Sequence, residues 1–304
     1  MPDVPPDDDT QPAPAGSSRE PAGSVEPAES VEYGTRAGRR SMQVAAGRRG
    51  GDRATPAPTR RSVVLATLAL GLLVVVSAAS GQPQTGLALA FVGVVLAWGW
   101  PVLLDAPSKS IASLVIGVGA VAIGGTAGLT RTEPFLRWVP VAVAVSVIAG
   151  FFHQLLRRDG RPRLTHGAAT TISGLALVAA GAPLAVLPAY RLGSHYVLAA
   201  GAALGLAALV EVLGRWSGWH RWMLAVVVVA GAAAAVGISA TVDGIPLVAA
   251  VLLGVLVAAI SHALRRVLTS LPGAGALQAQ MATGAASVLV VGVVVYLLTR
   301  MYAA

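Results

Sequence analysis

The residues able to do chemistry in this 304-residue chain are few, and they stand mostly at the ends of long apolar runs. Glu211 is the one acid that falls inside such a run rather than between runs. An ionisable side chain within a membrane segment is by default a functional candidate, as a proton relay, an ion ligand or a substrate contact. Arg215 stands one helical turn further on, so a local Glu211–Arg215 ion pair is the competing structural expectation. His153 and His262 lie near the ends of two other runs, each one turn before an arginine, Arg157 and Arg266. With Arg158, Arg161, Arg163 and Arg265 they offer a cytoplasmic anion or head-group site, because guanidinium forks bind phosphate and carboxylate in bidentate fashion. They equally suit interfacial residues whose polar tips reach toward water.

Other chemistries are poorly served. Asp159-Gly160-Arg161-Pro162-Arg163 reads first as a turn with a proline-stiffened exit, and a single aspartate is weak support for Mg²⁺ chemistry on a phosphate. The chain has no cysteine and its five histidines are dispersed, without HxxxH or HExxH spacing, so no metal site is expected. No Walker A sequence, dinucleotide fingerprint or G-x-S-x-G elbow is present, and no cofactor is expected.

The elements that must position these residues are membrane helices. Hydrophobic residues make up 55% of the chain and charged residues 12%, about half the charge of a soluble domain. A helix needs about 20 apolar residues to cross the hydrocarbon. Such runs occur at Ser62–Ser80, Gly86–Leu104, Ile111–Leu129, Phe135–Leu156, Ala168–Pro188, His195–Leu213, Trp222–Thr241, Ile245–Leu264 and Met281–Tyr302. The expected fold is an all-α polytopic bundle of about nine spans, residues 62–304, behind a tail, residues 1–61. The tail has no apolar periodicity and is rich in Pro, Ala, Gly and Ser, which predicts disorder. It is also polarised. Residues 1–32 carry eight acids against Arg19, and residues 33–61 carry eight arginines against Asp52. The basic part suits anionic lipid and the acidic end a protein partner, although charge blocks are more often plain solvated tails. Nucleic acid is not expected as a partner, since no basic, aromatic-interleaved soluble module is present.

Loop charges orient the bundle. With the tail in the cytoplasm, the inner connections carry eleven arginines and lysines: Arg60, Arg61, Lys109, Arg157, Arg158, Arg161, Arg163, Arg215, Arg221, Arg265 and Arg266. The outer face carries four: Arg131, Arg137, Arg191 and Arg300. The positive-inside rule therefore places the N-terminus inside, and Trp138, Tyr190, Tyr196 and Tyr302 are expected as an outer aromatic belt. Trp216, Trp219 and Trp222 would form the inner belt. Pro101, in the inner half of its span, is a candidate for a kink that lines a cavity.

The ending His153-Gln-Leu-Leu-Arg157-Arg158 returns as His262-Ala-Leu-Arg265-Arg266, at an offset of 109 residues between the histidines. That offset carries spans two to five onto six to nine, which predicts one leading span and two four-span halves in parallel, related by an axis along the membrane normal. Gly201-Ala-Ala-Leu-Gly205 is a GxxxG, though in so small-residue-rich a background it barely exceeds chance.

Over Phe151–Gly174, FFHQLLRRDGRPRLTHGAATTISG, the chain resembles uncharacterised multi-pass membrane proteins of actinobacteria. The resemblance extends loosely over residues 62–304 and implies a bacterial cytoplasmic membrane, but no catalytic residues. The span count is also that of phosphatidate cytidylyltransferases, whose lysine-rich signature and acidic metal cluster are missing here. Three functions are consistent with the sequence. They are a permease-like transporter or transport subunit using Glu211, a non-enzymatic partner in envelope assembly acting through the tail, and a lipid-modifying enzyme using the Arg157–Arg163 face.

Overall fold

The computed structural model describes residues 61–156, 164–214 and 221–303, and among them the regular structure is entirely helical. Three helices open the bundle: α1, Arg61–Ser80; α2, Gln82–Leu103; and α3, Lys109–Leu129. They are followed by α4, Val139–Leu156, and α5, Leu164–Gly181, the latter continuing through the short α6, Pro183–Val186, and a 3-10 turn, Leu187–Ala189. The second part holds α7, Gly193–Leu213; α8, Met223–Thr241; α9, Leu247–Thr269; α10, Leu277–Leu289; and α11, Gly292–Tyr302. Eight of the resulting spans are long and apolar enough to cross a membrane, with α5–α6 and α10–α11 each counting as one. The chain is a multi-pass membrane protein. The ninth expected span, α4, is shorter: its apolar part covers Val139–His153, and residues 135–138 form turns instead of helix. Pro140 stands at the second position of α4, where its missing N–H leaves no intrahelical bond unmade.

The expected tail, Arg157, Arg158, Arg161 and Arg163 of the basic connection, and Arg215, Trp216 and Trp219 lie outside the described residues.

Helices in lipid gain nothing by burying leucine against leucine, so they associate where small residues let backbones approach. The α2–α3 pair is built in this way. A Cβ placed on Gly86 would lie 2.6 Å from Gly128 Cα and 2.7 Å from the Gly124 carbonyl oxygen. Helix α1 packs on α2 of the first half and on α7 and α10 of the second. The GxxxG of α7 faces it, with Gly201 against Val75 and Gly205 against Leu68, so that motif meets side chains rather than a second glycine seam. Polar cross-links are sparse. Ser62 donates to Gln280 Oε1 between α1 and α10, Ser194 donates to the Ala78 carbonyl (2.8 Å), and Trp100 Nε1 donates to the Thr170 carbonyl and Ser173 Oγ (both 3.1 Å).

Pro101 is buried inside α2, two residues before the helix ends at Leu103. One expectation is corrected. Tyr196 is 0% exposed and belongs to the core, because it opens the inward face of α7, whereas Trp138 and Trp222 do lie on the surface.

The close α2–α3 approach carries a direct test. Gly86→Val should lower the thermal midpoint of the detergent-purified protein, in keeping with an overpacking penalty of about 1–3 kcal/mol. Gly237→Ala, where an added Cβ meets nothing within 4 Å, should leave the midpoint unchanged.

Candidate functional site

The inward face of α7 is an alanine stripe, Ala199, Ala203 and Ala207, and Glu211 continues it at the same one-turn spacing. The inward face of α9 runs Leu253, Val257, Ser261, Arg265 and Leu268, with His262 beside it. Packing α7 on α9 brings these two faces together at the end of the bundle that bears most of the loop arginines.

The result is a buried ionic triad. Arg265 is 0% and Glu211 4% exposed. Arg265 Nη2 donates to Glu211 Oε1 (2.6 Å) and Nε to Oε2 (3.0 Å), a side-on bidentate pair. His262 Nδ1 donates to the same Oε1 at 2.9 Å. Two nitrogens have nowhere to go: Arg265 Nη1 and His262 Nε2 are buried without a hydrogen-bond partner. Orphaned polar atoms of this kind are rare, and each marks a place where a water, a proton or a ligand is to be accounted for.

The expected sites redistribute accordingly. Glu211 is held across the bundle by α9, and Arg215, its expected local partner, is outside the described residues. His262 and Arg265, expected on an open cytoplasmic face, are buried and already bound to a carboxylate. Arg266, the expected companion of His262, points outward and is exposed. His153 on α4 is half-buried, its Nε2 unpartnered, and it has no part in the triad. Spacing alone does not choose between Arg265 and Arg266, since they stand at i+3 and i+4 from His262. It is the burial of the α9 face carrying Leu253, Val257 and Ser261 that turns Arg265 inward.

The 109-residue offset bears on the same region in two ways. It carries each helix of the first half onto one of the second: α2 onto α7, α3 onto α8, α4 onto α9, and α5–α6 onto α10–α11. The interruptions correspond as well, since Gly181 falls on Val290 and Pro183 on Gly292. At Pro183 the ladder loses an N–H, and at Val290–Val291 the backbone passes through a turn before α11 begins. The two interruptions touch. A Cβ on Gly181 would lie 2.4 Å from a Leu289 side-chain carbon, and one on Gly292 would lie 2.4 Å from the Ala180 carbonyl oxygen. The triad, by contrast, has no counterpart: Glu211 corresponds to Val102 and Arg265 to Leu156.

Between the halves lies an apolar cavity of about 20 Å³, the size of a single water, lined by Val74, Leu184, Val197, Leu204, Val288 and Val291.

Comparisons of the chain with protein-family models, with curated proteins and with solved structures find no match.

The triad makes a quantitative prediction. Removing one partner of a buried pair leaves an uncompensated charge and costs about 3–5 kcal/mol, while replacing both by apolar groups is close to neutral. Arg265→Met should therefore lower the thermal midpoint sharply, and Glu211→Leu combined with Arg265→Met should recover most of the loss, measured as a double-mutant cycle in detergent.

Proposed function

We propose that this chain is a permease-like transporter, or the membrane subunit of one, in a bacterial cytoplasmic membrane, here in a closed conformation. The observation that carries the reading is the meeting of two interrupted spans at corresponding positions of the two halves. Paired interruptions of this kind are the sequence-readable mark of a transporter's central site, where unwound backbone can line a pathway without facing lipid. Their contact between the halves is a natural gate, since separating Gly181 from Leu289 and Gly292 from Ala180 opens the centre of the bundle. Glu211, His262 and Arg265 then form the ionisable element at the cytoplasmic mouth. Exchange of a proton or an anionic group at the unpartnered Arg265 Nη1 and His262 Nε2 would alter the α7–α9 contact and bias the two halves between arrangements.

The small, apolar cavity between the halves favours one rival, a non-enzymatic partner whose bundle never opens and whose tail does the recruiting. Because the chain has no cysteine, Leu289→Cys introduces a single thiol at the contact between the halves, fully buried in this conformation. In membrane vesicles of both orientations, a membrane-impermeant maleimide should label it from each face in turn. Glu211→Gln should slow that labelling by about tenfold, as expected of a residue that biases a two-state equilibrium. A thiol that stays unlabelled from both faces would sink the transporter reading in favour of the permanently closed partner.

A further inference from the structure

At the opposite end of the bundle, we infer that the groove between the C-terminus of α3 and the start of α4 binds the phosphate head-group of an anionic phospholipid from the outer leaflet. The groove is an open surface depression of about 460 Å³ whose lining includes Arg131, Thr132, Arg137 and Trp138.

Three features make this more than a pair of surface arginines. The first is charge. Neither Arg131 nor Arg137 has a carboxylate partner among the described residues, because Glu133, the acid between them, is drawn toward Arg300 on α11 (3.7 Å). Two guanidiniums thus face one groove uncompensated, and a phosphate with its several acceptor oxygens matches them. The hydroxyls of Thr126 and Thr130 are committed to the carbonyls of Ile123 and Thr126, which leaves the arginines and Thr132 as the donors.

The second is rigidity. Gln82 Nε2 donates to the carbonyls of both Ala127 (2.7 Å) and Thr130 (2.8 Å), pinning the end of α3. On the far side Phe135 packs edge-on against Tyr190 (5.5 Å between centroids), Tyr190 against Tyr296 (6.0 Å), and the Arg300 guanidinium lies 5.2 Å from the Tyr190 ring. Burial and the neighbouring Tyr296 hydroxyl hold the Tyr190 phenol above its ordinary pKa. Arg137 itself rests over the Trp138 ring at 5.7 Å.

The third is depth. Helix α4 begins at Val139 with only 18 residues, so Arg137 and Trp138 stand at the level of the head-groups, with the exposed Trp138 in the position that interfacial tryptophans take. Directly below, Leu129, Val141 and Val145 are exposed and apolar, a surface for the acyl chains of the same molecule.

The test is lipid retention by the full chain in native mass spectrometry, after purification with mixed phosphatidylglycerol and phosphatidylcholine. The wild type should retain phosphatidylglycerol preferentially. Arg131→Gln with Arg137→Gln should reduce the retained fraction by about tenfold, equivalent to ~1.4 kcal/mol, and Arg191→Gln, an exposed arginine on the same face outside the groove, should not. Both groove arginines are exposed, so an unchanged thermal midpoint will confirm that the double variant is folded. An equal loss in Arg191→Gln would mean diffuse charge attraction and overturn the site. Displacement of the lipid by millimolar inorganic phosphate would make it a site for the free anion and overturn the lipid assignment.

Discussion

In a bilayer no solvent remains to reward the burial of one apolar helix against another, and this constraint governs the whole bundle. Association must come from contact distance, so helices approach where Cβ atoms are missing or small. The α2–α3 seam at Gly86, Gly124 and Gly128 and the contact of Gly181 with Leu289 follow from that rule. Larger side chains are turned outward: Leu72, Leu87, Leu114 and Ile148 are all more than half exposed, as suits a lipid-facing surface. A core of this kind has little volume to spare, in keeping with the small apolar cavity between the halves.

Against that background an ionic cluster is conspicuous. Glu211, His262 and Arg265 occupy the inward faces of their helices, where neighbouring turns carry alanine, glycine, valine and serine. Burying such a pair brings little net stability, because desolvating two ions offsets most of their attraction. Its two unpartnered nitrogens add a further penalty. A packing solution would have been an apolar pair, and at the 109-residue offset the first half carries valine and leucine, Val102 and Leu156, at the positions of Glu211 and Arg265. The departure from the repeat, confined to one half and placed at the arginine-rich end, is the feature that asks for a function.

The two ends of the molecule use arginine differently. At the inner end Arg265 is neutralised by a carboxylate from another helix, and charge is held out of water. At the opposite end Glu133 leans toward Arg300, and Arg131 and Arg137 are left facing an open groove. The sign of a loop charge sets topology, whereas its surroundings decide whether it is sealed or available.

The membrane class and the positions of most spans were legible in the sequence, because run length and loop charge are local properties that a bilayer reads directly. Element ends were less so: α4 starts later than its apolar run, since residues 135–138 settle into turns. The sequence also singled out Glu211, His262 and Arg265, but as separate candidates, Glu211 with Arg215 and His262 with Arg266. Only the tertiary structure joined them. In an isolated helix a carboxylate has no partner but its neighbours one turn away, so local reasoning is bound to choose Arg215. Docking α7 on α9 supplies Arg265 from 54 residues along the chain, and which of two adjacent arginines turns inward depends on helix rotation, fixed by the packing of the small-residue faces. Tyr196 moved from the expected outer belt to the core for the same reason.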